Sequence, residues 1–225
     1  MIKFVVLGII GLLIQIGFIM IEHRGHYKLA ALLKTIAAII FVLIGFFGYK
    51  ASINKHYTIF VLLGLVFGAL GDVLHAIRFV FPKHKMAFFG VGTVLFMVGH
   101  VLYLVALVSL SPNPILNVVA GICLAAIYFL WFIKSTEAKL FYYFIGFIYI
   151  FSIVIMVAVA LGNAFILPNS KANWFYAVGA LFFLASDTQN ILYTFGNKKT
   201  YPIRIGNLVA YYIGQTLIAM SLFFI

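Results

Sequence analysis

Two aspartates are the residues of this chain that are best suited to chemistry. Asp72 lies in VLLGLVFGALGDVLHAI and Asp187 in VGALFFLASDTQNILY, which are long apolar stretches, whereas Glu22 and Glu137 lie in polar breaks. A carboxylate in hydrocarbon costs about 2.5–3.5 kcal/mol even on the mildest insertion scale, so intramembrane acids usually have a function. The two aspartates are therefore the candidate catalytic residues.

The polar residues around the two aspartates share one spacing. Asp72 is followed after 28 residues by His100, and Asp187 is followed after 28 residues by Gln215. The offset between the two pairs is constant, since 187 − 72 = 115 and 215 − 100 = 115. This pattern indicates one polar site built from two related halves, although so few positions could also share an offset by chance.

Further polar side chains lie on the same helix faces or on the helices that follow. Residues three apart share a face of a helix, which places His75 beside Asp72 and Asn190 beside Asp187. Each of these side chains could instead only hydrogen-bond a neighbouring helix, a contact worth about 0.6 kcal/mol. The candidates for substrate binding or proton relay are His75, His100, Tyr103, Asn190, Tyr212 and Gln215.

Two cations near the ends of apolar stretches are candidates for binding phosphate. Lys34 lies just inside the second stretch, where it could snorkel to the interface, hold a phosphate or pair with an aspartate. Arg78 lies near the end of the predicted span 57–80, which contains Asp72.

The composition identifies a polytopic membrane protein of the all-α class. Of the 225 residues, 66% are hydrophobic and 8% are charged, against about 25% charged in soluble domains. The net charge of +11 does not indicate nucleic acid, because the basic residues fall in short breaks that suit topology signals and lipid headgroups. The single cysteine, Cys123, excludes an intrachain disulfide.

Eight stretches are long enough to cross the bilayer, and we expect residues 1–225 to form a single transmembrane domain. The first stretch is longer than the apolar region of a signal peptide, so it is predicted to be a transmembrane helix. The two aspartates lie on the third and seventh spans, an offset of four helices, which predicts a tandem repeat of four helices in the same orientation. The predicted spans are 2–21, 29–49, 57–80, 86–110, 115–133, 141–161, 172–195 and 204–225.

The basic residues predict the orientation. The first, third, fifth and seventh loops carry ten of them and the opposite side carries four, so the positive-inside rule places both termini outside. We expect a bacterial inner membrane as the location. The ten are Arg24, Lys28, Arg78, Lys83, Lys85, Lys134, Lys139, Lys198, Lys199 and Arg204, and the four are Lys3, Lys50, Lys55 and Lys171.

Several chemistries lack their motifs. The sequence has no HExxH, no cysteine cluster, no Gly-x-Ser-x-Gly elbow and no Walker loop. We therefore expect neither a metal nor a cofactor. Two carboxyl groups in a low-dielectric cavity can act as an acid and base pair where an oxocarbenium-like state forms.

The order of these motifs resembles the YhhN family of integral membrane proteins from about residue 29 to the end. Lys34 matches a lysine of the family's second helix, although Thr35 stands where a proline often follows. His75 and Asn190 are not among its hallmarks. The matching motifs are Gly71-Asp72, His100 with Tyr103, Ser186-Asp187, and Tyr212 with Gln215.

The resemblance implies lysoplasmalogenase activity, in which the vinyl ether bond of a lysoplasmalogen is hydrolysed to a fatty aldehyde and a glycerophospho-alcohol. It implies a lysophospholipid substrate, with Asp72 and Asp187 as the acid and base and the surrounding membrane lipids as the other partners. The alternatives are a proton-coupled transporter of a small or lipid-like solute and a lipid-binding scaffold. A transporter would be expected to have discontinuous helices, and a scaffold would not need two buried aspartates.

Overall fold

Long apolar stretches form eight α-helices in the computed structural model, which describes residues 2–196 and 200–225. Lys198 and Lys199, two of the charges used to predict the orientation, lie outside the described residues. Short 3₁₀ turns at Pro82–His84 and Leu222–Phe224 complete the described elements. The helices are α1 (Ile2–His23), α2 (Tyr27–Ala51), α3 (Lys55–Ile77), α4 (Lys85–Ser109), α5 (Pro114–Ser135), α6 (Leu140–Ile166), α7 (Lys171–Phe195) and α8 (Tyr201–Ser221).

The all-α membrane fold predicted from the sequence is confirmed. Seven of the eight helices are long and apolar enough to cross a membrane. Helix α7 has sufficient length, but the polar run from Ser186 to Asn190 lowers its hydropathy. It packs along α8 and α6, and Ser186 and Asp187 are buried there.

Local chemistry explains where the helices end. The predicted span 57–80 stops earlier, at Ile77, because Phe81 precedes Pro82 and a residue before proline is disfavoured in helical geometry. Helix α6 continues past the predicted end at 161 to Ile166, and α8 stops at Ser221, before the predicted end at 225.

Consecutive helices other than α4 and α5 pack side by side, and additional contacts close the bundle. Helix α8 lies against α1, α2, α3 and α7, and α4 lies against α6. The α7 and α8 backbones meet at two glycines, since a Cβ on Gly214 would lie 2.8 Å from the Gly179 carbonyl oxygen. Such close approach is how helices associate in lipid, where exclusion from water does not drive packing.

Candidate active site

A cavity of about 460 Å³ lies in the half of the bundle where the odd-numbered helices end and the even-numbered helices begin. Its volume is within the range of about 300–1,000 Å³ of small-molecule sites. Both aspartates line it, and most of its remaining lining is apolar. Six of the predicted site residues line this cavity, namely Lys34, Asp72, His75, Arg78, Asp187 and Asn190.

Asp72 forms a buried ion pair in this cavity. The Lys34 ammonium nitrogen is 3.0 Å from Asp72 Oδ1, and each of the two side chains is 5% exposed. Lys34 Nζ also lies 4.6 Å from the centre of the Tyr211 ring. Of the three roles considered for Lys34, pairing with an aspartate is therefore the one that the structure shows.

Asp187 has a neutral partner. The Tyr149 hydroxyl on α6 donates a hydrogen bond of 2.7 Å to Asp187 Oδ2. Within the described part of the chain, no cation lies at salt-bridge distance from Asp187. The two carboxyl groups thus share one cavity but differ in the charge of their nearest partner.

The partners of the two aspartates are related by the same offset as the aspartates. Tyr149 follows Lys34 by 149 − 34 = 115 residues, and Asp187 follows Asp72 by 115. Tyr149 therefore takes the place in the second half that Lys34 takes in the first. Tyr149 is not among the predicted site residues, although the offset of 115 applied to Lys34 points to it.

A buried hydrogen-bond chain lies behind Asp72. Tyr103 donates a hydrogen bond of 2.7 Å to Gln215 Oε1, and Gln215 Nε2 donates one of 3.2 Å to the Tyr211 hydroxyl. Tyr211 lines the cavity, whereas Tyr103 and Gln215 do not. The chain connects the two predicted residues to the cavity through Tyr211, a residue absent from the predicted set.

Tyr212 is not part of this group. Its hydroxyl is directed at Gly11 on α1, where a side chain would clash with it. The structure thus places Tyr212 away from the cavity, and the tyrosine that bonds Gln215 is its neighbour Tyr211.

The two predicted histidines occupy different positions. His75 lines the cavity, stacks on Phe89, and has Nε2 3.3 Å from the Phe89 carbonyl oxygen. His100 is buried behind Tyr149, with the two ring centres 5.2 Å apart. Its Nδ1 is 3.5 Å from Ser152 Oγ, and its Nε2 has no hydrogen-bond partner among the described residues. His100 does not line the cavity, but it contacts Tyr149, which does.

Arg78 and Arg204 line the end of the cavity nearest the loops that follow α3 and α7, here called the loop end. The two cations differ in their pairing. Arg204 forms a bidentate ion pair with Glu22, with a shortest distance of 2.9 Å. Arg78 also lines the cavity, and no acidic residue lies at salt-bridge distance from it in residues 2–196 and 200–225. Its Nε is buried without a hydrogen-bond partner in those residues. Arg78 is thus available to an anion.

Two polar residues near Asp187 also went unpredicted as site residues. Asn207 Nδ2 donates hydrogen bonds to the Ser186 carbonyl oxygen at 2.8 Å and to Ser186 Oγ at 3.0 Å. Both line the cavity, and their contact joins α7 to α8 beside Asp187. In residues 2–196 and 200–225, no group of three or more His, Cys, Asp or Glu side chains could hold a metal ion.

In the comparison with known protein families, one family model matches the chain. No curated protein and no solved structure matches the chain significantly. The model of the YhhN family matches residues 29–222, which is most of the chain and includes the cavity-lining residues of α2–α8. This match agrees with the resemblance found in the sequence motifs, and the chain therefore belongs to the YhhN family.

Proposed function

We propose that the protein is an integral membrane hydrolase that cleaves the vinyl ether bond of lysoplasmalogens. The products are a fatty aldehyde and a glycerophospho-alcohol. The observation that carries the proposal is the placement of Asp72 and Asp187, on separate helices, in the wall of one largely apolar cavity. Their different partners, an ammonium group and a phenol hydroxyl, suit a pair in which one carboxyl gives a proton and the other accepts one.

The reaction consumes one water molecule and begins with these two proton transfers. One carboxyl group protonates the vinyl ether at the carbon farther from the oxygen, which gives an oxocarbenium ion. The other carboxylate removes a proton from water as the water oxygen bonds to the carbon beside the ether oxygen. The resulting hemiacetal then collapses to the aldehyde. Its hydroxyl proton returns to the carboxylate that acted as the acid, the bond to the glycerol oxygen breaks, and that oxygen takes the proton held by the other carboxyl group and leaves as the alcohol, which restores both groups.

The remaining contacts support this assignment of roles. The apolar lining suits an alkenyl chain, and Arg78 is available to a phosphate. His75 and Asn190 line the cavity, where they would orient water or substrate. The described helices are continuous, whereas transporter sites commonly lie at broken helices, so this observation favours the hydrolase.

Aldehyde release by the purified protein tests the proposal. A lysoplasmalogen is compared with an ester lysophospholipid for wild type, Asp72→Asn, Asp187→Asn and Glu137→Gln. Glu137 is exposed between α5 and α6, so its variant is the control for removing an acidic group. We expect aldehyde from wild type and Glu137→Gln and none from either aspartate variant. No aldehyde from well-folded wild type would contradict the proposal, and proton-coupled flux in liposomes would then be measured.

A further inference from the structure

In the described residues, the side-chain hydrogen bonds and ring contacts between α4 and α6 lie in the half of the bundle away from the mouth of the cavity, which we interpret as a gap between the helix starts. These contacts begin at His100, which contacts Tyr149 and Ser152. Farther along, Asn163 Nδ2 donates to the Leu107 carbonyl oxygen. The starts of both helices, before His100 and Tyr149, instead contribute side chains to the cavity wall.

Side chains at this gap face both the cavity and the outer surface of the bundle. Val94 on α4 is 48% exposed and Ile148 on α6 is 41% exposed, yet both line the cavity. Met86 and Phe141, nearer the helix starts, have the same double exposure. In a membrane this outer surface faces lipid, so the cavity is open to lipid between α4 and α6.

Among the described residues, one cation that lines the cavity near the loops, Arg78, is free to meet an anionic group. Lys34 is paired with Asp72 and Arg204 with Glu22, whereas Arg78 has no acidic partner in the described chain. Arg78 follows α3, at the same end of the bundle as the start of α4. An anionic headgroup near the interface would meet this guanidinium, while a chain would extend along the apolar wall.

We propose that the gap between α4 and α6 is the entrance for the single chain of a lysophospholipid, with its phosphate on Arg78 and its chain beside Gly90. This inference rests on the proposed function and adds the route and the residue that limits the chain. Gly90 lines the cavity, and a Cβ placed on it would meet no atom within 4 Å. A larger side chain at Gly90 fits the fold and fills space that the chain needs.

A matched pair of substitutions on α4 tests the entrance. Gly90→Phe places a ring in the gap, and Val91→Phe places the same ring on the adjacent lipid-facing residue, which is 54% exposed and does not line the cavity. Aldehyde release is measured with a long-chain lysoplasmalogen and with a short-chain, water-soluble analogue. We expect Gly90→Phe to lower kcat/KM for the long-chain substrate at least about tenfold and to leave kcat/KM for the short-chain analogue unchanged. We expect Val91→Phe to spare both substrates.

Two results would contradict the proposed entrance. One is equal kcat/KM for Gly90→Phe and Val91→Phe with the long chain. The other is an equal loss for both chain lengths in Gly90→Phe, because that would place the effect at the reacting groups. Activity on the short chain also shows that the variant is folded.

Binding separates failure of the entrance from failure of the proposed function. A long-chain alkyl-ether lysophospholipid, which has no vinyl bond, is titrated into wild type, Gly90→Phe, Val91→Phe and Arg78→Gln in nanodiscs. We expect weaker binding to Gly90→Phe and Arg78→Gln, and unchanged binding to Val91→Phe. An alkyl glycerol without phosphate should bind equally to Arg78→Gln and wild type. If wild type releases no aldehyde but this binding pattern is observed, the proposed entrance is supported and the proposed reaction is wrong. Equal binding by all four proteins would contradict the proposed entrance.

Discussion

At the scale of single residues, the two carboxyl groups are set apart by what touches them. Asp72 has the Lys34 ammonium group at 3.0 Å, and Asp187 has the Tyr149 hydroxyl at 2.7 Å. In a low-dielectric site such contacts hold a side chain in place and are costly to remove. Tyr149 is therefore a positioning residue for Asp187 under the proposed mechanism.

Replacing Tyr149 by Phe removes only the hydroxyl that holds Asp187. We expect Tyr149→Phe to lower kcat by about tenfold or more, in line with loss of one strong hydrogen bond, while KM changes little. Tyr128→Phe is the matched control, because its hydroxyl lies 2.6 Å from Thr188 Oγ1 and does not contact an aspartate. Steady-state aldehyde release measures both constants. An equal fall in kcat for the two variants would refute this role for Tyr149.

The Lys34 and Asp72 pair makes a prediction about stability. Lys34→Met leaves the Asp72 carboxylate buried without its cation, and removing one member of a buried pair costs about 3–5 kcal/mol. The double variant Lys34→Met/Asp72→Asn removes both charges and should regain most of that loss. Thermal unfolding in detergent measures the effect, with Lys50→Met at the exposed end of α2 as the control. If the double variant is less stable than Lys34→Met, the ion pair does not account for the loss.

Some of these site residues can be predicted from the sequence and others cannot, for physical reasons. The cost of a carboxylate in lipid singles out Asp72 and Asp187, and the structure places both in one cavity. Tyr211 and Tyr212 are adjacent and about 100° apart on their helix, so spacing alone does not say which one faces Gln215. Tyr149 lies in the apolar run FIYIFS, where a tyrosine that only packs looks the same as one that bonds an aspartate.

At the scale of the helices, the two halves of the chain pack in corresponding ways. Helix α3 packs on α4 as α7 packs on α8, and α4 packs on α6 as α8 packs on α2. Glycines mark the equivalent contacts, because Gly99 approaches the Gly64 carbonyl oxygen and Gly214 approaches that of Gly179. Both pairs differ by the offset of 115, since 179 − 64 = 115 and 214 − 99 = 115. The offset seen first in polar residues therefore also relates the close helix contacts.

A methyl group at the α7–α8 contact should separate the two helices. In Gly214→Ala the new Cβ would lie 2.8 Å from the Gly179 carbonyl oxygen and 3.0 Å from the Phe183 nitrogen, which are backbone atoms. We expect a loss of about 1–3 kcal/mol of stability. Gly90→Ala adds the same group in open space on α4 and should be neutral or stabilising by up to about 1 kcal/mol. Chemical unfolding in mixed micelles compares them, and equal stability of the two variants would exclude a tight contact at Gly214.

Helix number follows from hydropathy more directly than helix contacts do. Each predicted span corresponds to one observed helix, because continuous apolar runs are required wherever the backbone crosses lipid. The gap between α4 and α6 depends on how the side chains of helices that are distant in sequence pack together. A hydropathy profile contains no information about such packing. The entrance beside Gly90 was therefore not predictable from the sequence.

At the scale of the whole molecule, the charges at the two ends of the bundle bear on its orientation in the membrane. The cavity lies at the end where α3 and α7 finish, next to the loops that carry most of the basic residues. The positive-inside rule predicts that both termini are outside and that this end faces the cytoplasm, so we propose that the entrance opens to the inner leaflet. Anionic headgroups of that leaflet would lie nearest to Arg78.

Single cysteines in a Cys123→Ser background test this orientation. Asn113→Cys lies at the exposed connection between α4 and α5, and His84→Cys at the exposed connection between α3 and α4. Neither substitution removes a lysine or arginine, so the charge pattern that sets the topology is unchanged. In intact cells, an impermeant maleimide should label Asn113→Cys, and it should reach His84→Cys only after the membrane is permeabilised. The opposite labelling would place both termini in the cytoplasm and the entrance in the outer leaflet, where Arg78 would meet external lysophospholipids.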